Sequence, residues 1–247
     1  MVLSLKRFEG KVAIVSGASS GIGAAIVEQL VRRGLVVAGL GRRIDKIELL
    51  SKQLSKEKGK LYPFRCDMTK EDDIVATIKQ VAFKLGPIHI LVNNAGLSQK
   101  ASLLKGDTHA WKTVLDTNIL GVSIATREAV QNMAVNNTEG HIINMNSILG
   151  HVVLDIPALD GVYTASKFAV TALTETLRNE LSREKLLIKT TSISPGLVKT
   201  DFQAVAGMPS ELQLPALSSE DVADAVVYAL STPANINVND INVQAIA

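Results

Sequence analysis

Short apolar runs recur along the chain at 11–16, 35–40, 60–65, 88–92, 141–146, 188–193 and 241–244, each separated from the next by a stretch long enough for a helix. The intervening segments place apolar side chains at three- and four-residue intervals, as in Ile74, Ile78, Val81 and Leu85, or Val170, Leu173, Leu177 and Leu181. Continuous apolar runs that alternate with amphipathic helices predict parallel strands covered on both faces. The expected fold class is α/β, a doubly wound parallel sheet of about seven strands with helices on both faces. Residues 1–247 read as one domain, without repeats, low-complexity tracts or linkers. A chain of this length suits a single α/β domain that buries roughly 70–75% of its unfolded surface. In such a sheet ligands bind beyond the carboxyl ends of the strands, near the point where strand order reverses.

Composition narrows the partners. A net charge of +2 with scattered charges gives no basic stripe, so neither nucleic acid nor an anionic membrane surface is expected, and no membrane span is read. Cys66 is the single cysteine and cannot close an internal disulfide, and the N-terminus lacks the pattern of a secretory signal. A reducing, cytoplasmic home is expected. Asn136-Asn137-Thr138 matches a glycosylation acceptor formally but reads as a polar loop that ends a helix. The four histidines, at 89, 109, 141 and 151, have no metal-ligand spacing, and no metal is implied.

Two segments carry candidate chemistry. Gly17-Ala18-Ser19-Ser20-Gly21-Ile22-Gly23 follows the run Val12 to Val15 and precedes Ala24, Ala25, Ile26, Val27 and Leu30, which reads as strand, glycine turn, helix. Glycines let the backbone turn sharply and approach a ligand, while the new helix offers free N–H groups and the positive end of its dipole to a phosphate. A pyrophosphate would fit there, although the spacing is Gly-x-x-x-Gly-x-Gly rather than the general Gly-x-Gly-x-x-Gly, and a tight packing turn without a ligand is the alternative reading. Tyr163 and Lys167 stand four apart, which places a phenol and an ammonium on one helix face one turn apart. A fixed cation stabilises a phenolate and draws its pKa toward neutrality. By itself that pair is as well explained by a solvated lysine beside a half-buried tyrosine.

Taken together the motifs resemble the short-chain dehydrogenase/reductase family of single-domain, Rossmann-type enzymes. The likeness runs from Lys11 to about Gln244 and rests on Gly17 to Gly23, on Asn93-Asn94-Ala95-Gly96 after the fourth run, and on Asn118, Ser147, Tyr163, Lys167 and Pro195-Gly196, in the family's order. Within the family the chain is most similar to an NADP-dependent branch that includes insect farnesol dehydrogenases and vertebrate keto-steroid reductases. Residues 65–68 (Arg-Cys-Asp-Met), 171–175 (Thr-Ala-Leu-Thr-Glu) and 230–234 (Leu-Ser-Thr-Pro-Ala) carry that finer likeness.

The resemblance implies a role for each position. Tyr163 is the acid in carbonyl reduction and the base in alcohol oxidation, and Lys167 lowers its pKa and binds the nicotinamide ribose. Ser147 donates a hydrogen bond to the substrate oxygen, and Asn118 holds a water that links Lys167 to solvent. Asp67 and Met68 meet the adenine, Glu48 the adenosine side, and Asn94, Ala95 and Gly96 lie under the adenosine ribose. Pro195, Gly196, Val198 and Thr200 bring backbone and hydroxyl groups to the nicotinamide carboxamide and phosphates. Cofactor choice turns on the end of the second run, where an NAD site places a carboxylate and a 2′-phosphate needs cations. Gly41 stands where the acid would be, and Arg42 and Arg43 follow, so NADP is expected over NAD. Many NADP-preferring relatives also carry a basic residue inside the glycine turn, where this chain has Ser19 and Ser20.

Ser147 and Tyr163 are sixteen residues apart, and the loop between them carries Leu149, Val152, Val153, Leu154, Ile156 and Leu159, with His151, Asp155 and Asp160 as its ionisable groups. Its partner loop contributes Phe202, Val205, Met208, Leu212, Leu214 and Leu217. An apolar rim predicts a small apolar substrate such as a terpenoid alcohol, aliphatic aldehyde or keto-steroid. Core or subunit packing would account for the same side chains. Helices near 108–135 and 162–182 have apolar positions on more than one face, resembling the family's dimer seams, so a homodimer or homotetramer is expected. A 3-oxoacyl thioester reductase would use the same constellation. A catalytically idle nucleotide-sensing scaffold is disfavoured by the four intact catalytic positions.

Overall fold

A computed structural model describes residues 3–156, 159, 161–202, 206 and 215–246. Seven parallel strands form one sheet in the order β3-β2-β1-β4-β5-β6-β7: β1 (Val12–Ser16), β2 (Val36–Gly41), β3 (Lys60–Arg65), β4 (Ile88–Asn93), β5 (Gly140–Met145), β6 (Ile188–Pro195) and β7 (Asp240–Val243). Strands β1, β2 and β3 step outward in one direction and β4 to β7 in the other. The switch point therefore lies between β1 and β4, and it opens a crevice at their carboxyl ends.

Strand residues alternate between two cores. Ala13, Val15, Val37, Ile90, Val92, Ile143 and Ile193 pack with α1 (Gly21–Arg32) and α7 (Ser219–Ser231). Val12, Ile14, Ala38, Leu40, Leu91 and Ile142 face the opposite way, toward α3 (Glu71–Leu85), α5 (Val122–Val135) and α6 (Tyr163–Arg183). Two buried faces explain why the inner strands β1, β2 and β4 read as nearly unbroken apolar runs rather than as alternations. The remaining helices of the frame are α2 (Ile44–Gln53) and α4 (Thr108–Leu115).

The helix over 71–85 follows its pattern, with Ile74, Ile78 and Val81 buried and Gly86 ending it at a φ of 100°. Helix α6 departs from its pattern. Its buried positions are Tyr163, Ser166, Lys167, Val170, Thr174 and Leu181, so a polar stripe, not the apolar one, holds much of the inner face. Most of the polar groups there are paired, Asn93 Oδ1 being one without a partner among the described residues. Asn93 Nδ2 donates to Thr126 Oγ1 and Asn144 Oδ1, each at 2.9 Å, and Asn144 Nδ2 donates to Thr174 Oγ1 at 2.8 Å, which ties α5, β4, β5 and α6 together through the sheet. This is a structural duty for Asn93.

Candidate active site

The glycine turn is shaped by contacts that no side chain could survive. A Cβ on Gly23 would sit 2.2 Å from the carbonyl oxygen of Gly17, and one on Gly17 would sit 2.9 Å from Asn94 Nδ2 and 3.0 Å from the Ala95 Cα. Gly17 and Gly21 also have φ of 69° and 54°, which glycine adopts without strain. Ser20, the N-cap of α1, makes no side-chain capping bond, so the first N–H groups of the helix stay available to an anion. Ser16 fixes this turn to the next loop: its Oγ accepts from the N–H groups of Asn94 and Ala95, both at 3.0 Å. Asn94 returns the link through Nδ2 to the Ser16 carbonyl at 2.9 Å.

The end of β2 supplies charge to the same turn. Arg43 donates to Ser19 Oγ at 3.0 Å and to Ser20 Oγ at 2.7 Å, so its guanidinium lies over the two serines. The basic residue absent from the turn in sequence is thus delivered from the following strand. Gly41 lies beside Ser19, where its Cβ would be 3.7 Å from the serine Cβ. The Arg42 charge lies within reach of Asp67, whose carboxyl stays below its ordinary value. Burial works against that shift, and bonds from Thr69 together with the Arg42 and Lys70 charges overcome it. The Asp67 carboxylate accepts from Thr69 N and Oγ1 at 3.1 and 2.8 Å. Met68 is buried, and Gly121 packs against its carbonyl, where a Cβ would come to 2.3 Å. Glu48 stands exposed on α2 and forms no hydrogen bond among the described residues.

The reacting end is assembled at the start of α6. Lys167 Nζ lies 5.8 Å from the centre of the Tyr163 ring and donates to the Met145 carbonyl at 2.9 Å. A Cβ on Gly96 would stand 3.5 Å from Asn118 Oδ1 and 3.9 Å from Lys167 Nζ, so the loop after β4 is the meeting point of these groups. Thr200 closes the circle from the loop after β6, 3.1 Å from where a Gly21 Cβ would be. Pro195 ends β6, Gly196 N–H donates to the Val243 carbonyl at 2.8 Å, and Val198 is buried.

Two of these residues sit in distinctive surroundings. Burial pushes the Tyr163 phenol above its ordinary value and outweighs a hydrogen bond with Ser147 that acts the other way, while burial also pushes Lys167 down to about 8. Asn118 does not offer its amide N–H groups to a water. Its Nδ2 donates to the Leu97 carbonyl and to Ser166 Oγ, and its Oδ1 accepts from Leu97 N–H, all at 3.0 Å. A water could be met only by the second lone pair of Oδ1 or by the backbone. Ser147 is extended, half-buried and caps the short turn Ile148–Gly150, accepting from Leu149 N–H at 3.1 Å.

A phenol, an ammonium and a hydroxyl gathered beside a phosphate-shaped turn can move a proton next to a bound nucleotide. The family model described as short chain dehydrogenase matches residues 11–209. The chain belongs to the short-chain dehydrogenase family. It is 43% identical over 244 residues to the farnesol dehydrogenase of Aedes aegypti, covering 98% of each chain. It is 42% identical to dehydrogenase/reductase SDR family member 11 of Homo sapiens, covering 97% of this chain and 96% of the relative. Among solved structures, an alcohol dehydrogenase from the archaeon Thermococcus sibiricus, complexed with 5-hydroxy-NADP, superposes with a TM-score of 0.85 at 26% identity, covering 96% of this chain and 97% of that one.

In this short-chain dehydrogenase a small apolar group gathers around Tyr163. Leu149, Leu159, Tyr163 and Ala206 form a small buried cluster, with Ile148, Ile156 and Phe202 packed on it. The Phe202 ring lies 5.6 Å from the Tyr163 ring, tilted by 48°. Val152, Val153 and Leu154 are exposed, Val153 by 75%. Leu217 is buried against the body of the fold and pairs with Val198, so it is not part of the open rim. Asp160, Val205, Met208, Leu212 and Leu214 lie outside the described residues. His151 is an exposed loop histidine, and its ring also meets Ser194 Oγ at 2.9 Å and Asp240 Oδ2 at 3.5 Å. Three contributors escape the sequence reading: Ser16, Ser166 and the π-helical turn Asp116–Gly121 that carries Asn118. A lone strand-end serine carries no motif. Such π turns recur at functional sites, yet here none of the residues marks one out before Gly121.

Among the described residues no helix is long and apolar enough to cross a membrane.

Proposed function

We propose that this short-chain dehydrogenase is an NADP-dependent alcohol dehydrogenase or carbonyl reductase acting on an apolar, medium-sized alcohol or carbonyl compound. The observation that carries the proposal is the convergence of Tyr163, Lys167 and Ser147 beneath an exposed apolar loop and beside the Phe202 ring. A farnesol dehydrogenase at 43% identity supports a terpenoid alcohol as one substrate.

NADP fits the residues present. Gly17, Gly21 and Gly23 leave a cradle that a Cβ would fill, the start of α1 is uncapped, and Arg43 covers Ser19 and Ser20. Gly41 leaves out the carboxylate that would repel a 2′-phosphate. Arg42 and Arg43 would hold that phosphate, with Asp67 and Met68 at the adenine and Asn94 to Gly96 beneath the ribose. A structural neighbour complexed with 5-hydroxy-NADP supports the same choice over NAD.

Bound NADP(H) supplies or accepts the hydride. Tyr163 delivers the proton from its Oη to the carbonyl oxygen in reduction and takes it from the alcohol in oxidation. Ser147 donates to the same oxygen and stabilises the charge that develops there. Lys167, anchored by the Met145 carbonyl, sets a positive charge beside the phenol, which burial makes a weaker acid than in water. Phe202 and Leu149 keep water away from the proton transfer.

Exposed Leu115, Leu120 and Phe168 on the outer sides of α4, the π turn and α6 support a homodimer or homotetramer seam. The test of function is steady-state oxidation with NADP and NAD across farnesol, short alcohols and hydroxysteroids. Turnover is expected with NADP and the longer apolar alcohols. A preference for NAD would remove the roles given to Arg42 and Arg43.

A further inference from the structure

At the amino ends of the strands, at the opposite end of the sheet from the candidate active site, lies a second cleft of about 900 Å³. It is bordered by the starts of β1 (Val12), β5 (Gly140) and β6 (Ile188), and by the turn before β4. Strand β4 is six residues long, so about 20 Å separates this end of the sheet from Asn94.

Its lining has two chemical parts. Phe8, Leu85, Leu181, Leu186 and Leu187 supply apolar wall. Arg7, Lys11, Arg178 and Lys189 supply four cations, against Glu139 as the one acid among the described lining residues. The charges crowd one another. Lys189 is only 9% exposed and is pushed down to about 8, first by burial and then by the Arg7 charge. The buried His141 feels both Lys189 and Arg7. Glu139 makes no ion pair with Arg7 among the described residues, although its charge is felt there.

The two arginines also hold donors in reserve. Lys189 spends its ammonium on the carbonyls of Thr232, Pro233 and Ile236 and on Thr232 Oγ1. Arg7 bonds the Leu230 carbonyl through Nη2, and Arg178 pairs with Glu175 through Nη1 and bonds the Thr190 and Asn239 carbonyls through Nη2. The Nε groups of both arginines, and Oγ1 of the fully buried Thr190, are buried without a partner among the described residues. Buried donors left unpaired are costly and rare in folded proteins. Two guanidinium donors, a hydroxyl and an excess of positive charge against an apolar wall call for an acceptor that is anionic at one end and apolar at the other.

We propose that this cleft binds an amphipathic anion, with its carboxylate or phosphate head on Arg7 and Arg178 and its chain along Phe8 and Leu181. The site is separate from the proposed catalytic pocket and stands or falls independently of it. Calorimetric titration of the NADPH-saturated protein with laurate, dodecyl phosphate and inorganic phosphate tests it. Laurate or dodecyl phosphate is expected to bind once per chain, at least tenfold more tightly than inorganic phosphate, and less tightly as salt rises. Arg7→Met should weaken binding about tenfold or more, and the exposed rim variant Lys11→Glu several-fold, with alcohol turnover unchanged in both. Lys11→Glu keeps the test decisive if Arg7→Met fails to fold. No binding of either amphiphile overturns the proposal. So does binding that Lys11→Glu and a folded Arg7→Met both leave intact, which would place the amphiphile in the pocket above Tyr163.

Discussion

The two sides of the crevice are built on different principles. On the proposed cofactor side, shape is set by the backbone: Gly17 and Gly23 approach neighbours so closely that a Cβ would collide, Gly21 takes a positive φ, and Ser16 and Asn94 lock the turn to the loop after β4. On the proposed substrate side, shape is set by side chains that touch little, with Val152, Val153 and Leu154 exposed and Phe202 leaning on Tyr163. A ligand common to a whole family can be met by rigid backbone. A ligand that varies must be met by replaceable side chains on loops. Tyr163 and Lys167 stand between the two, on a helix whose inner face is polar because it serves both.

Mutations can break or sharpen this contrast. The largest effect among four is expected for Lys167→Met, which removes the buried ammonium beside the phenol and should lower kcat by roughly 10²- to 10⁴-fold. In the unmodified enzyme the Lys167 pKa is pushed down to about 8 by burial. Its charge is therefore full below that pH and lost above it, so carbonyl reduction should decline through pH 8 in a pH–rate profile. Gly23→Ala comes next: the added methyl meets the Gly17 carbonyl, overpacking of this kind costs roughly 3 kcal/mol, and fluorescence titration should show cofactor binding lost or severely weakened. Arg43→Glu should weaken NADP binding about 50-fold, in keeping with loss of a charge-assisted hydrogen bond plus repulsion, while NAD binding changes little. Phe202→Ala should be smallest, raising KM for apolar alcohols several-fold through loss of about 1 kcal/mol of ring packing, with cofactor affinity unaltered. Equal loss of cofactor affinity from Phe202→Ala and Gly23→Ala would erase the distinction between the two sides.

The same contrast explains what could be read in the sequence. Every strand lies within a residue or two of its run; the run is most plainly apolar in β1, β2 and β4, whereas β6 is buried throughout and still carries Lys189, Thr190, Thr191, Ser192 and Ser194. The glycine turn was legible because its backbone demands glycine at fixed positions. Arg43 was legible as a cation, but not its reach to Ser19 and Ser20, since that depends on how β2 lies beside the turn. Asn118 was found by its place in a pattern, while its π turn and its bonds to Leu97 and Ser166 were hidden because they join segments far apart in sequence. Helix α6 misled the apolar count because Ser166, Lys167 and Thr174 occupy its inner face. His151 is legible as a loop residue, but not its contacts with Ser194 and Asp240, which lie on strands distant in sequence.

The central claim is that Tyr163 moves the proton on a frame that binds cofactor independently of it. It is tested most directly by Tyr163→Phe, with NADPH affinity and single-turnover reduction of an apolar aldehyde measured on the same preparation. The account predicts unchanged NADPH affinity and a rate lower by at least roughly 10³-fold. Full turnover in that variant would contradict it.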